Sequence, residues 1–522
     1  MKKYLLLIII LQFFSKNVES NIGCNVNQYN AYGSDNIDDT AQIQNAINSC
    51  NVVYFPTGTY LVSGTISVPS NRTLIGEIGS IIKAVDDNSI SNSIFKNENW
   101  LSGNDNWISI IGIEINGNKG NQIGEHDYKG IWFNNVDNFK IQRCIVYNCY
   151  GYGDPVSGTG SAIFVQNATQ GDISNNSVYD NGGNGILVYY GSSFIIVANN
   201  LVINNSQIGI ESEGRNGSNY ADYRNSNINI IGNICRSNKD HNILVDWTDN
   251  TNIANNVCTG SLHNGIELLG SHEISVTNNI VHSNGDNNSW ADIKVTAQEY
   301  GENGRNQNIT ITGNTLGVSL YNSLIIDTTY NILVNGNIML SQYKGVVINT
   351  ASAALNITSN RIAARYEGIK IGSSIDTIII NNNFLETNTV DGNGILCVPD
   401  SIIIDRVEIS NNTFINNFNG IYCFPNVEFK NGHLTNNTFR NSNNKDLCGD
   451  PGGVILSSIF VEGNSFEKGV ENWHLGTLPM TGTWKQADKM YKLLPIAGSS
   501  PGWICVNGGT PGTWKAMSNL AN

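Results

Sequence analysis

Residues 228–235 read Ile228-Asn229-Ile230-Ile231-Gly232-Asn233-Ile234-Cys235, and 23 residues on the chain reads Thr251-Asn252-Ile253-Ala254-Asn255-Asn256-Val257-Cys258. A third copy, Ile274-Ser275-Val276-Thr277-Asn278-Asn279-Ile280-Val281, follows at the same interval. Apolar residues alternate with a period of two inside each copy, which is the pattern of a strand and not of a helix. The inner Asn recurs at Asn176, Asn200, Asn233, Asn256, Asn279, Asn314, Asn337, Asn360, Asn383, Asn412, Asn437 and Asn464, in steps of 24, 33, 23, 23, 35, 23, 23, 23, 29, 25 and 27. A base step of 23 with occasional excess is one solenoid coil plus loop insertions. A second strand follows each Asn and often starts with Gly, as in Gly185-Ile186, Gly209-Ile210, Gly265-Ile266 and Gly368-Ile369. Coils stacked about 4.8 Å apart make a parallel β-helix, with like residues in columns. The Asn column then has a structural reason: buried amides in register hydrogen-bond to one another and to turn backbone. Ile113 and Cys144 take the Asn position in two earlier coils.

Composition agrees. The 522 residues include 53 Gly and 14% charged residues, with 40% apolar residues. That excludes a disordered chain and disfavours helical bundles and coiled coils. The formal net charge is −14. Met1-Lys2-Lys3, the apolar run Tyr4 to Phe14 and Val18-Glu19-Ser20 read as a signal peptide cleaved after Ser20. Its Lys2, Lys3, Lys16 and Glu19 carry a net +2, so the mature chain is at −16. The expected product is exported and without a membrane span, secreted or held in the cell envelope or periplasm. An acidic chain lacking Lys/Arg clusters disfavours nucleic acid as a partner, and argues weakly against an anionic polymer unless a local basic patch overrides the net charge.

The ends of a β-helix need caps. Asp39-Thr40 before Ala41-Gln42-Ile43-Gln44-Asn45-Ala46-Ile47 reads as an N-capped amphipathic helix. Together with Tyr32-Gly33-Ser34-Asp35, Val53-Tyr54-Phe55-Pro56-Thr57-Gly58-Thr59-Tyr60 and Asn71-Arg72-Thr73-Leu74-Ile75-Gly76, this opening resembles the pectate-lyase-like superfamily, which includes glycoside-hydrolase-28-related proteins and phage tailspikes. The resemblance implies a right-handed single-stranded parallel β-helix. It implies no single reaction, because the superfamily spans hydrolases, lyases, epimerases and binders. The acidic motifs of a polygalacturonase are absent, which weighs against a pectin hydrolase. The expected organisation is a signal peptide at 1–20, an N-terminal cap at 21–50, the β-helix at 51–466 and a Trp-rich C-terminal β module at 467–522. In that module Gly482-Thr483-Trp484-Lys485 recurs as Gly512-Thr513-Trp514-Lys515. Its Trp residues are expected to form a small core, with sugar stacking as the alternative.

Columns locate the chemistry. In the second strand the residue after Gly points inward and the next outward. The first outward column reads Trp132, Phe164, Leu187, Glu211, Leu244, Glu267, Lys294, Ile325, Val347 and Lys370; the second includes Tyr189, Glu213, Asp246, Leu269, Thr296 and Asp327. Glu211, Glu213, Asp246 and Glu267 are the candidate catalytic carboxylates. Tyr189, Trp247, Lys294, Arg215, Phe164 and Trp132 are the candidate substrate contacts, with His241 and His263 at the edges. Insertions after Glu213 and after Thr296, with segments 118–128 and 149–161 opposite, are expected to wall the face into a groove. Neighbouring coils set Glu213 and Asp246 about 5 Å apart, and the diagonal from Asp246 to Glu267 is roughly 8 Å. That diagonal suits an inverting glycoside hydrolase.

The expected function is therefore a secreted carbohydrate-active enzyme cleaving a polysaccharide, a hydrolase in preference to a lyase. The lyase alternative uses Lys294 or Arg215 as base, with Ca²⁺ at Glu211, Glu213 and Asp246. A non-catalytic glycan-binding or surface structural protein is the other class, and a solvated acidic sheet face is the bland reading of the column. No cofactor is expected otherwise. His126, His263 and His272 lack the mutual spacing of a metal site, and no role beyond substrate contact is expected of them. Cys235 stacks on Cys258 and Cys397 on Cys423, as inward thiols or as disulfides. A monomer is expected, with the trimer of tailspike relatives as the alternative.

Overall fold

The computed structural model describes residues 23–519 except 88–92, 102, 123–127, 152–159, 215–222, 298–304, 351, 451–453, 472, 476–477, 479–483, 485, 493–495 and 510–511. The leader, His126, Arg215 and most of the expected groove walls therefore lie outside the described residues. The chain divides into two compact units, one reaching Leu187 and taking in Ser192–Leu201, the other made of Val188–Gly191 and everything from Val202 onward.

In the first unit, helix α1 (Thr40–Ser49) buries Ile43, Ala46 and Ile47. Asp39 stands at its start, but its side chain makes no cap hydrogen bond. The neighbouring Asp38 does this work instead, accepting from the Thr40 backbone N–H at 3.0 Å and from the Ser63 hydroxyl at 2.6 Å. Asp39 turns inward to accept from the Tyr32 N–H at 3.1 Å. A Cys24–Cys50 disulfide ties the segment before the helix to its end. Parallel strands follow, with the register Thr73–Ser109–Lys140–Asp172–Ile196 across five successive coils. Cys144 occupies the Asn position as expected, its N–H donating to Asn176 Oδ1 at 2.9 Å.

The second unit repeats a three-strand coil. Ile243–Asp246, Thr248–Ala254 and Val257–Thr259 form one turn, and Ile266–Leu269 opens the next. Each strand pairs in parallel with its counterpart one coil on, so inward Ile and Val residues stack in the core. The Asn ladder closes its own hydrogen bonds. Asn279 Oδ1 accepts from the backbone and side-chain N–H groups of Asn256 at 2.9 and 3.0 Å, while Asn279 Nδ2 donates to the Ile253 carbonyl at 2.9 Å. Cys235 and Cys258, and Cys397 and Cys423, pair in register as buried thiols. Among the described residues no helix is long and apolar enough to cross a membrane. Parallel pairing runs on through Trp473–Leu475 to Lys489–Lys492, after which Gly502–Asn507 and Thr513–Ala516 pair antiparallel. Trp484 is buried between Phe466 and Trp514, with ring centroids 5.1 Å away on each side. It extends the Phe414–Phe439–Phe466 stack and closes the apolar interior.

Candidate functional site

Strands Ile210–Glu213, Ile243–Asp246, Ile266–Leu269 and Ala291–Thr296 lie side by side in the second unit. Their register sets Glu211 beside Leu244, Leu244 beside Glu267 and Glu267 beside Lys294, while Glu213 faces Asp246. Glu267 is thus the diagonal neighbour of Asp246, as the columns imply. Burial departs from the solvated acidic face. Glu211, Asp246 and Glu267 are only 7%, 8% and 6% exposed.

At Glu267 the cover comes from the turns before the strands. Glu267 Oε2 accepts from Asn264 Nδ2 at 2.9 Å and lies 3.1 Å from His241 Nε2. The same Nε2 is 3.0 Å from Asp240 Oδ1. The Asn264 backbone N–H donates to His241 Nδ1 at 3.2 Å, so Nδ1 carries a lone pair and the proton sits on Nε2, pointing at the two carboxylates. Burial holds the His241 imidazole below its ordinary value, against the opposing pull of Glu267 and Asp240. A neutral, donating His241 follows. His263 Nδ1 pairs with Asp240 and its ring stacks on Trp290 at 4.1 Å. The Lys294 amine lies over the Trp290 ring, 5.0 Å from its centroid.

The ligand atoms of Asp240, His241 and His263 lie within 4.8 Å of one another. Among the described residues, the partners of His263 at metal-ligand spacing are thus Asp240 and His241, and not His272. Asp240 and His263 are 23 residues apart, one coil, and so meet across neighbouring turns. In the tautomer fixed by Asn264, His241 donates to both carboxylates and offers no lone pair at Nε2. The trio is a hydrogen-bond relay in this geometry. His272 pairs elsewhere, with Asp249 at 3.3 Å.

The substrate-contact candidates separate. Lys294 and Tyr189 are half-buried on the second unit, Tyr189 beside the stacked Tyr190–Tyr223 pair. Trp247 is 3% exposed, with the Arg224 guanidinium over its ring at 5.1 Å, so it packs and leaves little surface for a sugar. Trp132 and Phe164 belong to the first unit, where they stack at 5.7 Å with the Lys129 amine over both rings.

Beyond Lys294 the face opens into a polar cavity of about 320 Å³, lined by Lys294, Lys344, Lys370, Asp327, Tyr343 and Asn322 among others. Lys344 lies over the Tyr343 ring at 4.7 Å and pairs with Glu367 at 3.5 Å. Lys294 and Lys370 form no ion pair among the described residues. Burial, then the charge of Lys344, pushes the Lys370 amine down, and burial pushes the Asp327 carboxyl up against the pull of Lys294. Sequence reading placed Lys370 and Asp327 in the columns without a role, and missed Asp240, Asn264, Trp290 and Lys344. The signal for Trp290 was a length: Asn256 to Ile266 is 10 residues, whereas Asn279 to Ile293 is 14. Part of the 35-residue step precedes the strand and delivers the indole.

Comparison with known proteins fits this architecture. Residues 23–232 match the family described as rhamnogalacturonase A/epimerase, pectate lyase-like, and residues 161–304 match the right handed beta helix region. The chain carries a pectate-lyase-like right-handed β-helix. The preneck appendage protein of Bacillus phage PZA is 34% identical over 130 residues, which is 24% of this chain and 15% of that protein. The pre-neck appendage protein of Bacillus phage B103 is 24% identical over 34% of this chain and 26% of its own length. The chain thus spans a small part of these curated relatives. Among solved structures, the A-module of Azotobacter vinelandii mannuronan C-5 epimerase AlgE6 has a TM-score of 0.52 at 18% identity, covering 63% of this chain and 99% of the module. The AlgE4 A-module has a TM-score of 0.50 at 16% identity, covering 69% and 95%. Such likeness establishes a fold that carbohydrate-active modules also carry, and leaves the reaction to the site.

Proposed function

We propose that the protein is an exported enzyme that cleaves an acidic polysaccharide by hydrolysis, with Glu267 as general base and Asp246 as general acid. The observation that carries this reading is the buried Glu267 carboxylate, whose Oε2 meets two N–H donors while Lys294 beside it leads into a lysine-lined cavity. The two donors hold that carboxylate in one orientation beside the diagonal Asp246. Asp246, on the diagonal and 8% exposed, then supplies the proton. Asp246 protonates the departing glycosidic oxygen as its bond to C1 breaks, and Glu267 takes a proton from the water whose oxygen bonds to C1. Lys294, Lys344 and Lys370 face the polymer's anionic groups, a local basic patch on a chain of net charge −14. The leader-like N-terminus and the Cys24–Cys50 disulfide support export to an oxidising compartment.

A digest of polyuronates, sulfated glycans and neutral polymers tests the reading. Hydrolysis releases reducing ends without an ultraviolet-absorbing unsaturated product, and Glu267→Gln abolishes the release. An unsaturated product assigns the lyase alternative, with Lys294 as base and Ca²⁺ at Glu211, Glu213 and Asp246. The appendage relatives favour a second reading, a non-catalytic surface protein, which predicts no products from any polymer.

A further inference from the structure

The first unit carries an open groove of about 780 Å³ on a sheet face, and two of its walls are aromatic rings in unusual places. Trp107 and Phe194 are each 60% exposed. Both stand at a position where five successive coils turn through the left-handed region: φ is 60° at Asn71, 55° at Trp107, 55° at Asn138, 52° at Gln170 and 56° at Phe194. Asn suits this conformation and holds the equivalent position at Asn227, Asn250, Asn308 and Asn331 in the second unit, where Glu273 and Ala354 also adopt it without a large ring. A bulky side chain there costs on the order of 1–2 kcal/mol. Packing offsets little of that cost, because both residues stay mostly exposed. Residues that strain the backbone and leave their rings exposed are best explained by a ligand.

The shape of the groove identifies the ligand class. Beside the left-handed column runs the outward column Thr73–Ser109–Lys140–Asp172–Ile196, over the same five strands. Four interstrand gaps span about 19 Å, while the two columns lie only about 7 Å apart along each strand. This is a strip, far smaller than the roughly 800 Å² per partner of a stable protein interface. The strands beneath are paired on both sides, so an extended peptide finds no backbone edge to join. Lys140 and Asp172 balance in charge, which disfavours nucleic acid. What fits is an extended polymer with flat apolar faces and hydroxyl groups: two rings three interstrand gaps, about 14 Å, apart for stacking, with the hydroxyl of Ser109 beside the first ring and the amides of Asn138 and Gln170 between them. Beneath this column Gly171 faces inward and leaves room for the buried Phe139 ring, which a Cβ there would approach to 2.1 Å.

We propose that the Trp107–Phe194 groove binds a polysaccharide strand by stacking, as a second glycan site that does not depend on the carboxylate face. The test is affinity of the full chain for soluble xylan, β-glucan and galactomannan, neutral polymers that the lysine cavity does not favour. Glu267→Gln serves as the background, so that no polymer is consumed. Trp107→Asn and Phe194→Asn are each expected to weaken binding about tenfold, the scale of one lost aromatic contact. Both should also raise Tm by roughly 1–3 °C, because Asn relieves the left-handed strain. Phe194→Tyr should keep the affinity. Unchanged affinity in both Asn variants overturns the proposal, as does a parent that binds none of the neutral polymers. Self-association that Trp107→Asn abolishes would assign the groove to a second copy instead. Turnover in the Glu267-containing Trp107→Asn protein, assayed on short oligosaccharides, should be unaffected, so failure of the hydrolase reading remains distinguishable from failure of this one.

Discussion

Two columns of buried polar side chains run along the second unit, and they are built by opposite rules. In the Asn ladder each amide meets an identical neighbour, every donor finds an acceptor, and the pattern repeats from Asn233 to Asn464 with no charge involved. In the carboxylate column Glu211, Leu244, Glu267 and Lys294 follow one another, His241 reaches in from a turn, and no residue repeats in adjacent coils. A ladder of like residues adds stability coil by coil, as expected of a solenoid. A column that breaks the repeat with buried charge forgoes that gain, and such exceptions to a consistent design concentrate where chemistry is done. If the contrast is real, substitutions in the two columns must fail differently.

The largest expected effect lies in the charged column. Glu267→Gln and Asp246→Asn, each alone, should cut turnover about 10²–10⁴-fold, the range of a general acid or base. The unfolding midpoint should hardly move. Full activity in both variants would take the chemistry off this face. In the Asn ladder the loss should fall on stability. Asn279→Leu strands both N–H groups of Asn256 and the Ile253 carbonyl, at a cost of about 3–5 kcal/mol in a denaturant titration, since each buried orphan costs roughly 1–3 kcal/mol. A small change there would mean that neighbouring Asn residues re-pair across the gap.

Asp292 sharpens the comparison, because it is an ionisable residue placed among amides. It is fully buried, accepts from Asn284 Nδ2 at 3.1 Å and from the Ser319 hydroxyl, and burial pushes its carboxyl up to about 8. Below its ordinary value of 3.8 the group is neutral in both the folded and unfolded chain, and its contribution to stability is fully present. Between that value and about 8 the unfolded chain releases the proton and the folded chain keeps it, so stability falls as pH rises, until the contribution is lost above about 8. Denaturant midpoints from pH 4 to 9 should show this slope, and Asp292→Asn should flatten it. A slope identical in both proteins would place the titration elsewhere.

The fold was legible because its information is periodic. Asn233, Asn256 and Asn279 at 23-residue steps, with alternating Ile and Val between them, define coil, column and inward face without any distant contact. The site was legible only in part. Register placed Glu211, Glu213, Asp246, Glu267 and Lys294 correctly relative to one another, since columns follow from the same period. Burial did not follow, because it depends on side chains arriving from turns: His241 onto Glu267, and Trp290 through four extra residues ahead of its strand. The strain at Trp107 and Phe194 was also hidden, since an Asn-preferring turn position shows itself only once φ is known.

The smallest effect is expected from the lysines, and it tests whether the cavity reads charge. Lys370 shares a column with Lys294 and faces Lys344 across the cavity, while Glu367 already engages Lys344 at 3.5 Å. Removing Lys370 leaves two cations and no new unpaired carboxylate among the described residues. Lys370→Ala should therefore weaken binding or raise KM for an acidic polymer about fivefold, near 1 kcal/mol, the upper end for a partly exposed charge pair. Salt should erase the difference between variant and parent, since a Debye length of about 8 Å at physiological ionic strength already limits such contacts. A neutral polymer should bind both proteins equally. An equal loss for neutral and acidic polymers would show that Lys370 shapes the cavity without reading charge, and would remove the acidic-substrate preference while leaving the assignment of Glu267 and Asp246 intact.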